Sequence, residues 1–182
     1  MNLESKTVED LPLIHQSIDL SIPFKSVEDR YYSRYYHADE NGQDQVVLVH
    51  SNRICLVSLA KSHPVIKEQK AIKKLDFHVS ENCNRLKNKV SGKGKKGGQG
   101  LDERSILCFI ECETGEKYSI RSCVKGKLVG INQKVVENPK LILEKSPGEA
   151  HLAIILTKIP DGITDLKERL MTEEAYLQKN GQ

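Results

Sequence analysis

The sequence of 182 residues lacks long hydrophobic runs, and this absence restricts what the protein can be. The longest uninterrupted aliphatic run, residues 152–156, has five residues, whereas a transmembrane helix needs roughly 20. The first sixteen residues carry acidic side chains and no apolar stretch of the kind found in secretory signals. We therefore expect an intracellular protein that does not enter a membrane.

Closely spaced cysteine pairs are also missing. The five cysteines, at positions 55, 83, 108, 112 and 123, are an odd number and include no Cys-x-x-Cys pair. This pattern is typical of reduced thiols in a cytosolic or nuclear protein rather than of a disulfide framework. Cys108 and Cys112 share one face of a predicted strand and have no histidine at ligand spacing, so we expect core packing rather than a metal site.

A recognisable catalytic set is absent as well. His50 could be combined with Ser51 or Cys55 in a nucleophilic mechanism, but no third group is placed to orient the histidine. The stretch GKGKKGG lacks both the GK[ST] ending and the helix start of a phosphate-binding loop. We therefore expect a protein that is not an enzyme and has no cofactor or metal.

What the sequence does have is a local concentration of positive charge. Residues 85–96, RLKNKVSGKGKK, carry six basic side chains and no acidic one, whereas the whole chain has a formal net charge of only +3. A basic, glycine-hinged segment on an otherwise mildly acidic body indicates a flexible docking loop for a polyanion or an acidic protein, although a solvated surface loop has the same composition. The candidate contact residues are Arg85, Lys87, Lys89, Lys93, Lys95 and Lys96.

Hydrophobic periodicity predicts a mainly β fold. Residues 45–59 alternate around a turn at 51–53, and residues 105–121 alternate around a turn at 114–116, so each segment indicates a β-hairpin. Many short strands separated by turns are typical of an all-β barrel or sandwich. Further strands are predicted at 74–79, 127–131, 141–143 and 152–157.

The two ends of the chain differ from this pattern. Residues 1–27 have no sustained period and predict a mobile tail before a domain at 28–160. Residues 161–182 predict a C-terminal tail with a short helix, which Thr172 caps. On a helix, Tyr31 would stack on Tyr35 and Tyr32 on Tyr36. We favour a short segment across the edge of the core over a binding surface, because tyrosine is amphipathic.

Residues 122–156 resemble the C-terminal half of the glycine cleavage H-protein and, more loosely, lipoyl and biotinyl carrier domains. Gly126, the strand 128–131, the corner Asn138-Pro139-Lys140-Leu141 and the turn Gly148-Glu149 occur in the order found in that family. The resemblance implies a barrel-sandwich hybrid. The chain departs from the family at the modified lysine, since that position is Gly115 here and Lys117 lies two positions further along. We therefore expect a shared scaffold without the carrier chemistry.

A longer resemblance covers about residues 28–158. The stretches EDRYYSRYYHADENGQ, HSNRICLVSLAKSHPVI, ENCNRLKNKVSGKGKKGGQ and YSIRSCVKGKLVGIN are similar to the Simiate family, also called actin-binding transcription modulator. The resemblance implies a protein of nuclear speckles, cytoplasm and actin-rich projections such as lamellipodia, growth cones and dendrites. It implies binding to actin, as filament or monomer, and an effect on actin polymerisation, filopodia and neurite branching.

Two other functions stay open at this level, and the basic loop could also be a nuclear-import signal. One is a carrier domain modified on a lysine by lipoyl or biotinyl. The other is a nucleic-acid-binding adaptor that uses the basic loop, although no aromatic stacking platform accompanies that loop.

Overall fold

The computed structural model describes residues 24–158 and 161–181. The chain divides after Arg30 into two units, of which the first is described only over residues 24–30. The predicted mobile tail lies almost entirely outside the described residues, and the predicted domain limits at 28 and 160 stay predictions. The sheets and the core belong to the second unit, residues 31–182.

Short strands dominate the described chain, as the periodicity predicted. They are β1 (Tyr32–His37), β2 (Gln45–His50), β3 (Ile54–Leu59), β4 (Ile72–Asp76), β5 (His78–Ser80), β6 (Cys83–Asn84), β7 (Gly100–Leu101), β8 (Ile106–Cys112), β9 (Lys117–Arg121), β10 (Gly126–Ile131), β11 (Ala153–Thr157) and β12 (Met171–Thr172). The helices are α1 (Val27–Tyr31), α2 (Pro64–Lys67), α3 (Gln133–Glu137), α4 (Leu141–Glu144), α5 (Asp161–Arg169) and α6 (Glu173–Lys179). A 3-10 turn covers Arg85–Lys87.

The strands form antiparallel sheets of seven, three and two strands. The largest has the order β12-β1-β2-β3-β11-β10-β7, the second has the order β4-β8-β9, and β5 pairs with β6. Both predicted hairpins are confirmed: Val47 pairs with Val57 between β2 and β3, and Ile110 pairs with Tyr118 between β8 and β9.

The buried apolar side chains form two clusters. One contains Val57, Leu128 and Ile155 of the large sheet, and the other contains Ile110 and Ile120 of the small sheet. Burial of such apolar surface is the main favourable term in folding. The cysteines follow the same division, since Cys55 and Cys123 belong to the first cluster and Cys108 and Cys112 to the second, as core packing predicted.

Gly126, which directly precedes the predicted strand 127–131, begins β10 and packs against β11. A Cβ atom at this position would lie 2.4 Å from the carbonyl oxygen of Leu156, so only glycine lets the two backbones approach this closely.

Two of the predicted strands were wrong. Residues 141–143 form helix α4, because three consecutive apolar residues have no period that separates strand from helix. Residues 74–79 were predicted as one strand, but the chain turns at Phe77, where the amide of His78 donates to Asp76 Oδ1 at 2.9 Å. Helix α5 was missed, although its Leu166 and the following Leu170 are buried in the core.

The C-terminal helix α6 is capped as predicted, since Thr172 Oγ1 accepts from the amide of Ala175 at 3.3 Å. Its Tyr176 docks on the β1–β2 turn, where its hydroxyl donates to Asp44 Oδ2 at 2.5 Å and also bonds to the hydroxyl of Ser62. The ring of Tyr176 stacks on Tyr36 of β1 with centroids 4.1 Å apart. The tyrosine-rich segment is therefore mainly a strand near the edge of the large sheet, and the helical alternative was wrong.

The Asp44 carboxylate is held in its charged form by these contacts. Burial raises the pKa of Asp44, but hydrogen bonds from Tyr176, the amide of Asp39 and Ser62 outweigh it, so the pKa lies below its usual value. Burial, together with the neighbouring Asp44 carboxylate, raises the pKa of Tyr176 to about 12.

We predict that Tyr176→Phe lowers the free energy of unfolding by about 1–3 kcal/mol, because a buried carboxylate loses one of its donors. Urea denaturation measures this change. Tyr32→Phe is the control, since the Tyr32 hydroxyl makes no hydrogen bond within the described residues. This substitution should change the free energy of unfolding by less than about 0.5 kcal/mol. Equal effects of the two substitutions would contradict the role given to the Tyr176 hydroxyl.

We expect His63 to make the stability of the fold depend on pH. The residue is fully buried and caps α2, with Nδ1 accepting from the amide of Val65 at 3.2 Å. Burial lowers the pKa of His63 to about 4. Below pH 6.5 the His63 imidazole is protonated in the unfolded chain, whereas in the folded chain it stays neutral down to about pH 4. The free energy of unfolding therefore falls as the pH drops from 6.5 towards 4.

We predict that the free energy of unfolding decreases by about 3 kcal/mol between pH 6.5 and pH 4. His63→Asn keeps an acceptor at the helix cap but removes the titration, so its stability should vary less with pH over the same interval. Urea titrations at several pH values compare the slopes. The account of His63 is wrong if the two proteins lose stability in parallel.

Candidate functional site

The predicted basic loop is a structured hairpin. The amide of Ser91 donates to the carbonyl of Lys96 at 3.0 Å, and the amide of Lys96 donates back at 2.9 Å. Gly92 and Lys95 in the turn have positive φ values of 64° and 50°. We call residues 87–98 the basic hairpin.

Arg85, the first candidate contact residue, is buried beneath the hairpin. The residue is 8% exposed. Nε and Nη2 donate to the carbonyl oxygen of Ile106 at 3.1 and 3.0 Å, and Nη1 donates to Gln99 Oε1 at 2.8 Å. Because the guanidinium is used internally, we remove Arg85 from the candidate contact residues.

Gln99 and Asn88 fasten the base of the hairpin. Gln99 Nε2 donates to the carbonyl of Asn84 at 2.9 Å, and the Gln99 amide donates to Asn88 Oδ1 at 2.8 Å. Asn88 Nδ2 in turn donates to the carbonyl of Leu128 in β10 at 3.0 Å. The prediction of a flexible loop is therefore corrected, because both ends of the hairpin are tied to the sheet.

Two further contacts hold the hairpin against β10. Lys127 Nζ lies 3.3 Å from the carbonyl oxygen of Gly94 and 3.4 Å from that of Lys95. Gly98 approaches the strand so closely that a Cβ atom would lie 2.9 Å from the carbonyl oxygen of Leu128. The hairpin thus has a defined position at the edge of the large sheet.

The remaining candidates face solvent. Lys87, Lys89, Lys93 and Lys96 are exposed and Lys95 is half-buried. Within residues 24–158 and 161–181, none of these five ammonium groups has a carboxylate within 4 Å, whereas Lys70 pairs with Glu116 at 2.6 Å. The hairpin therefore presents five positive charges that the described chain does not neutralise.

An exposed apolar side chain accompanies these charges. Leu86 is 42% exposed. Its amide donates to Asn84 Oδ1 at 2.9 Å, which caps the 3-10 turn. Sequence reasoning missed Leu86 because a single leucine between basic residues does not show whether it points inward or outward.

The other sequence candidates are not assembled into a site. Cys55 is fully buried, and burial raises the pKa of its thiol to about 12. His50 Nδ1 accepts from the amide of Asn52 at 3.1 Å, so the imidazole is engaged in its own turn. Ser51 Oγ lies 3.5 Å from the same Nδ1, but within the described residues no side chain bonds to the other ring nitrogen to orient the imidazole.

The turn at residues 114–116, where the resemblance to the H-protein family implies the modified lysine, has no lysine. It contains Gly115, with a φ of 89°, and Glu116, which accepts from Lys70. Lys117 lies on β9, where its ammonium group is 4.3 Å from the ring centre of Phe109 and 3.9 Å from Glu111 Oε1. The lysine nearest the turn is thus already in contact with its own strand neighbours.

A cleft of about 590 Å³ lies next to the β1–β2 turn. Its lining has mixed charge, since three arginines face the same space as three carboxylates: Arg104, Arg121, Arg169, Asp39, Glu40 and Glu103. Because the opposite charges balance, this cleft has no net preference for an anion or a cation. No helix within the described residues is both long enough and apolar enough to cross a membrane.

The chain is similar in sequence to several proteins named Protein Abitram. It is 42% identical to the one from Xenopus tropicalis over 158 residues, which cover 85% of this chain and 86% of that protein. It is 44% identical to the one from Bos taurus, over 83% of this chain and 82% of that protein. The one from Dictyostelium discoideum is 35% identical, over 86% of this chain and 89% of that protein.

No protein-family model matches the chain. Among solved structures, a glycine cleavage system H protein from Mycobacterium marinum superposes with a TM-score of 0.53 and 14% identity, over 82% of this chain and 98% of that chain. At this identity the likeness shows the fold alone, and it confirms the predicted mainly β barrel-sandwich architecture.

We predict that Asn88→Ala loosens the hairpin without unfolding the domain. The substitution removes the bonds to Leu128 and to the Gln99 amide, so amides of residues 91–98 should exchange with solvent about tenfold faster. Hydrogen–deuterium exchange with mass spectrometry measures this. Gln133→Ala on α3 is the control; if exchange also increased throughout β2 and β8, Asn88 would be a global rather than a local anchor.

Proposed function

The chain belongs to the Abitram family, and we propose that it is a non-enzymatic actin-binding protein that regulates actin polymerisation through its basic hairpin. We also propose a nuclear pool and a cytoplasmic pool at actin-rich projections. The resemblance to the Simiate, or actin-binding transcription modulator, family supports both statements. The observation that carries the choice of surface is the set of five lysines that no carboxylate of the described chain neutralises.

The physical argument is electrostatic. Actin filaments are acidic, so a cluster of five positive charges attracts them at long range and forms ion pairs at short range. Each exposed ion pair contributes about 1 kcal/mol or less, so the lysines act together. Fixing the base of the hairpin reduces the ordering that binding would otherwise require.

Leu86 adds an apolar contact beside the charges. Ion pairs at the rim of an interface mainly increase the rate of encounter, whereas a buried apolar anchor slows dissociation. The exposed leucine next to Lys87 supplies such an anchor. This combination supports a protein partner rather than a nucleic acid, because RNA recognition without sequence preference relies on aromatic stacking and the hairpin has no aromatic residue.

We predict that changing Lys87, Lys89, Lys93, Lys95 and Lys96 to glutamine weakens binding to actin filaments by about tenfold or more at low salt. The wild-type protein should also lose binding as salt rises, since exposed charges are screened beyond about 10 Å at 0.1 M ionic strength. Co-sedimentation with filaments across a salt series measures both effects.

The matched control changes five other exposed lysines to glutamine, namely Lys61, Lys67, Lys73, Lys134 and Lys140. This variant has the same net charge as the hairpin variant and should bind filaments like the wild type. If both variants bind equally, the hairpin is not the actin contact. If the wild type does not bind filaments or monomers at low salt, actin binding itself is wrong for this chain.

A further inference from the structure

Ser91 lies in the middle of the five hairpin lysines. Lys87 and Lys89 are four and two residues before it, and Lys93, Lys95 and Lys96 are two, four and five residues after it. The serine is exposed, and within the described residues its hydroxyl has no hydrogen-bond partner.

This combination is rare among the residues that the structure describes. Most described serines use their hydroxyl internally; Ser62, for example, donates to Asp44 and Ser122 donates to the carbonyl of Val124. Among the others, Ser80 is followed by Glu81, Ser119 is half-buried in β9, and Ser33 is exposed but lies within β1. Ser91 is thus an accessible hydroxyl with positive charge on both sides.

We propose that Ser91 is a phosphorylation site for a serine kinase that selects basic substrates, and that its phosphorylation weakens the binding surface of the basic hairpin. The assignment of Ser91 as a modification site is argued from the geometry of the hairpin alone. The effect on actin rests on the proposed function.

The chemistry is a phosphoryl transfer from ATP. The Ser91 oxygen attacks the γ-phosphorus, the bond between that phosphorus and the β–γ bridging oxygen breaks, ADP leaves and the hydroxyl proton is released. The products are phosphoserine and ADP, so no further reactant is needed. A kinase that recognises basic substrates offers carboxylates to the flanking lysines, which the described chain leaves unpaired.

The hairpin can present Ser91 in an extended form. Three backbone hydrogen bonds close the turn around it: two between Ser91 and Lys96, and one from the amide of Lys95 to the carbonyl of Gly92 at 3.2 Å. The contacts of Lys127 Nζ with the carbonyls of Gly94 and Lys95 are long, at 3.3 and 3.4 Å. Lys95 has a positive φ of 50°, a strained backbone conformation for a non-glycine residue, and opening the turn relieves that strain. The turn can therefore open locally while Asn88 and Gln99 still hold the base.

The phosphate would change the surface in two ways. It carries a charge of about −1.5 to −2 near neutral pH, so the net charge of the hairpin falls from five positive charges to roughly three. Its oxygens also accept charge-assisted hydrogen bonds from neighbouring lysines such as Lys89 and Lys93, which are then no longer available to a partner.

The first test is modification of the full chain with ATP and protein kinase C as the probe kinase, with the site read by mass spectrometry. We expect phosphate on Ser91 of the wild-type protein. In the Ser91→Ala variant we expect no phosphate on any described residue. If Ser91 stays unmodified while other described serines are phosphorylated, the assignment of the site is wrong.

The second test compares full-length protein carrying phosphoserine at position 91 with protein carrying it at Ser33, which adds equal charge away from the hairpin. On immobilised heparin, used as a polyanion probe, the Ser91 form should elute at lower salt than both the Ser33 form and unmodified protein. If the two phosphorylated forms elute at the same salt concentration, the proposal that phosphorylation of Ser91 weakens the binding surface is wrong.

Filament binding completes the design. Phosphorylation at Ser91 should weaken co-sedimentation about threefold to tenfold, because roughly two charges are lost, whereas phosphorylation at Ser33 should not. If unmodified protein fails to bind filaments, the proposed function is wrong, and the heparin comparison still decides the role of Ser91. If filaments bind all three forms equally, phosphorylation does not regulate that binding.

Discussion

Burial of the Arg85 guanidinium is the interaction on which the arrangement of the basic hairpin depends. A buried charge is costly unless its hydrogen bonds are satisfied, and here one backbone carbonyl and the Gln99 side chain accept them. Gln99 then reaches Asn84 and Asn88, and Asn88 reaches β10. One cation is used to fix the base of the hairpin, so that five others are displayed.

The rest of the fold supplies a rigid support for this element. The large and small sheets bury two apolar clusters, and the C-terminal helix is locked to the first turn of the large sheet by Asp44 and Tyr176. The hairpin itself contributes little to the core. Loops on rigid scaffolds commonly carry function for this reason, since their residues are free from the demands of packing. The likeness to a glycine cleavage system H protein, at 14% identity, shows the fold alone and says nothing about chemistry.

How far the sequence predicted this structure depends on how local each signal is. The hairpins around 51–53 and 114–116 were predictable, because alternation and turn residues are both encoded within a few positions. Thr172 was recognisable as a cap for the same reason. Helix α4 was mistaken for a strand, because three consecutive apolar residues have no period. Helix α5 was missed, because the burial of Leu166 and Leu170 depends on the tertiary packing of the core.

For the candidate site, too, the sequence predicted the local features and missed those that depend on contacts between distant residues. The sequence identified the cluster of lysines, because composition alone shows a local excess of charge. It grouped Arg85 with them, because the distinction between a buried and an exposed cation depends on the carbonyl of Ile106, which is distant in sequence and close in space. The anchoring roles of Gln99 and Asn88 are likewise set by β10, and no local pattern marks them.

The claim that the displayed lysines form the actin contact is tested most directly by mapping the interface on the isotopically labelled chain. Amide resonances are recorded by NMR while actin is added at low salt. The account predicts that changes in shift and line width concentrate in residues 86–98 and disappear as salt is raised. Changes confined to another face, with the resonances of Leu86 and the five lysines unaffected, would contradict it.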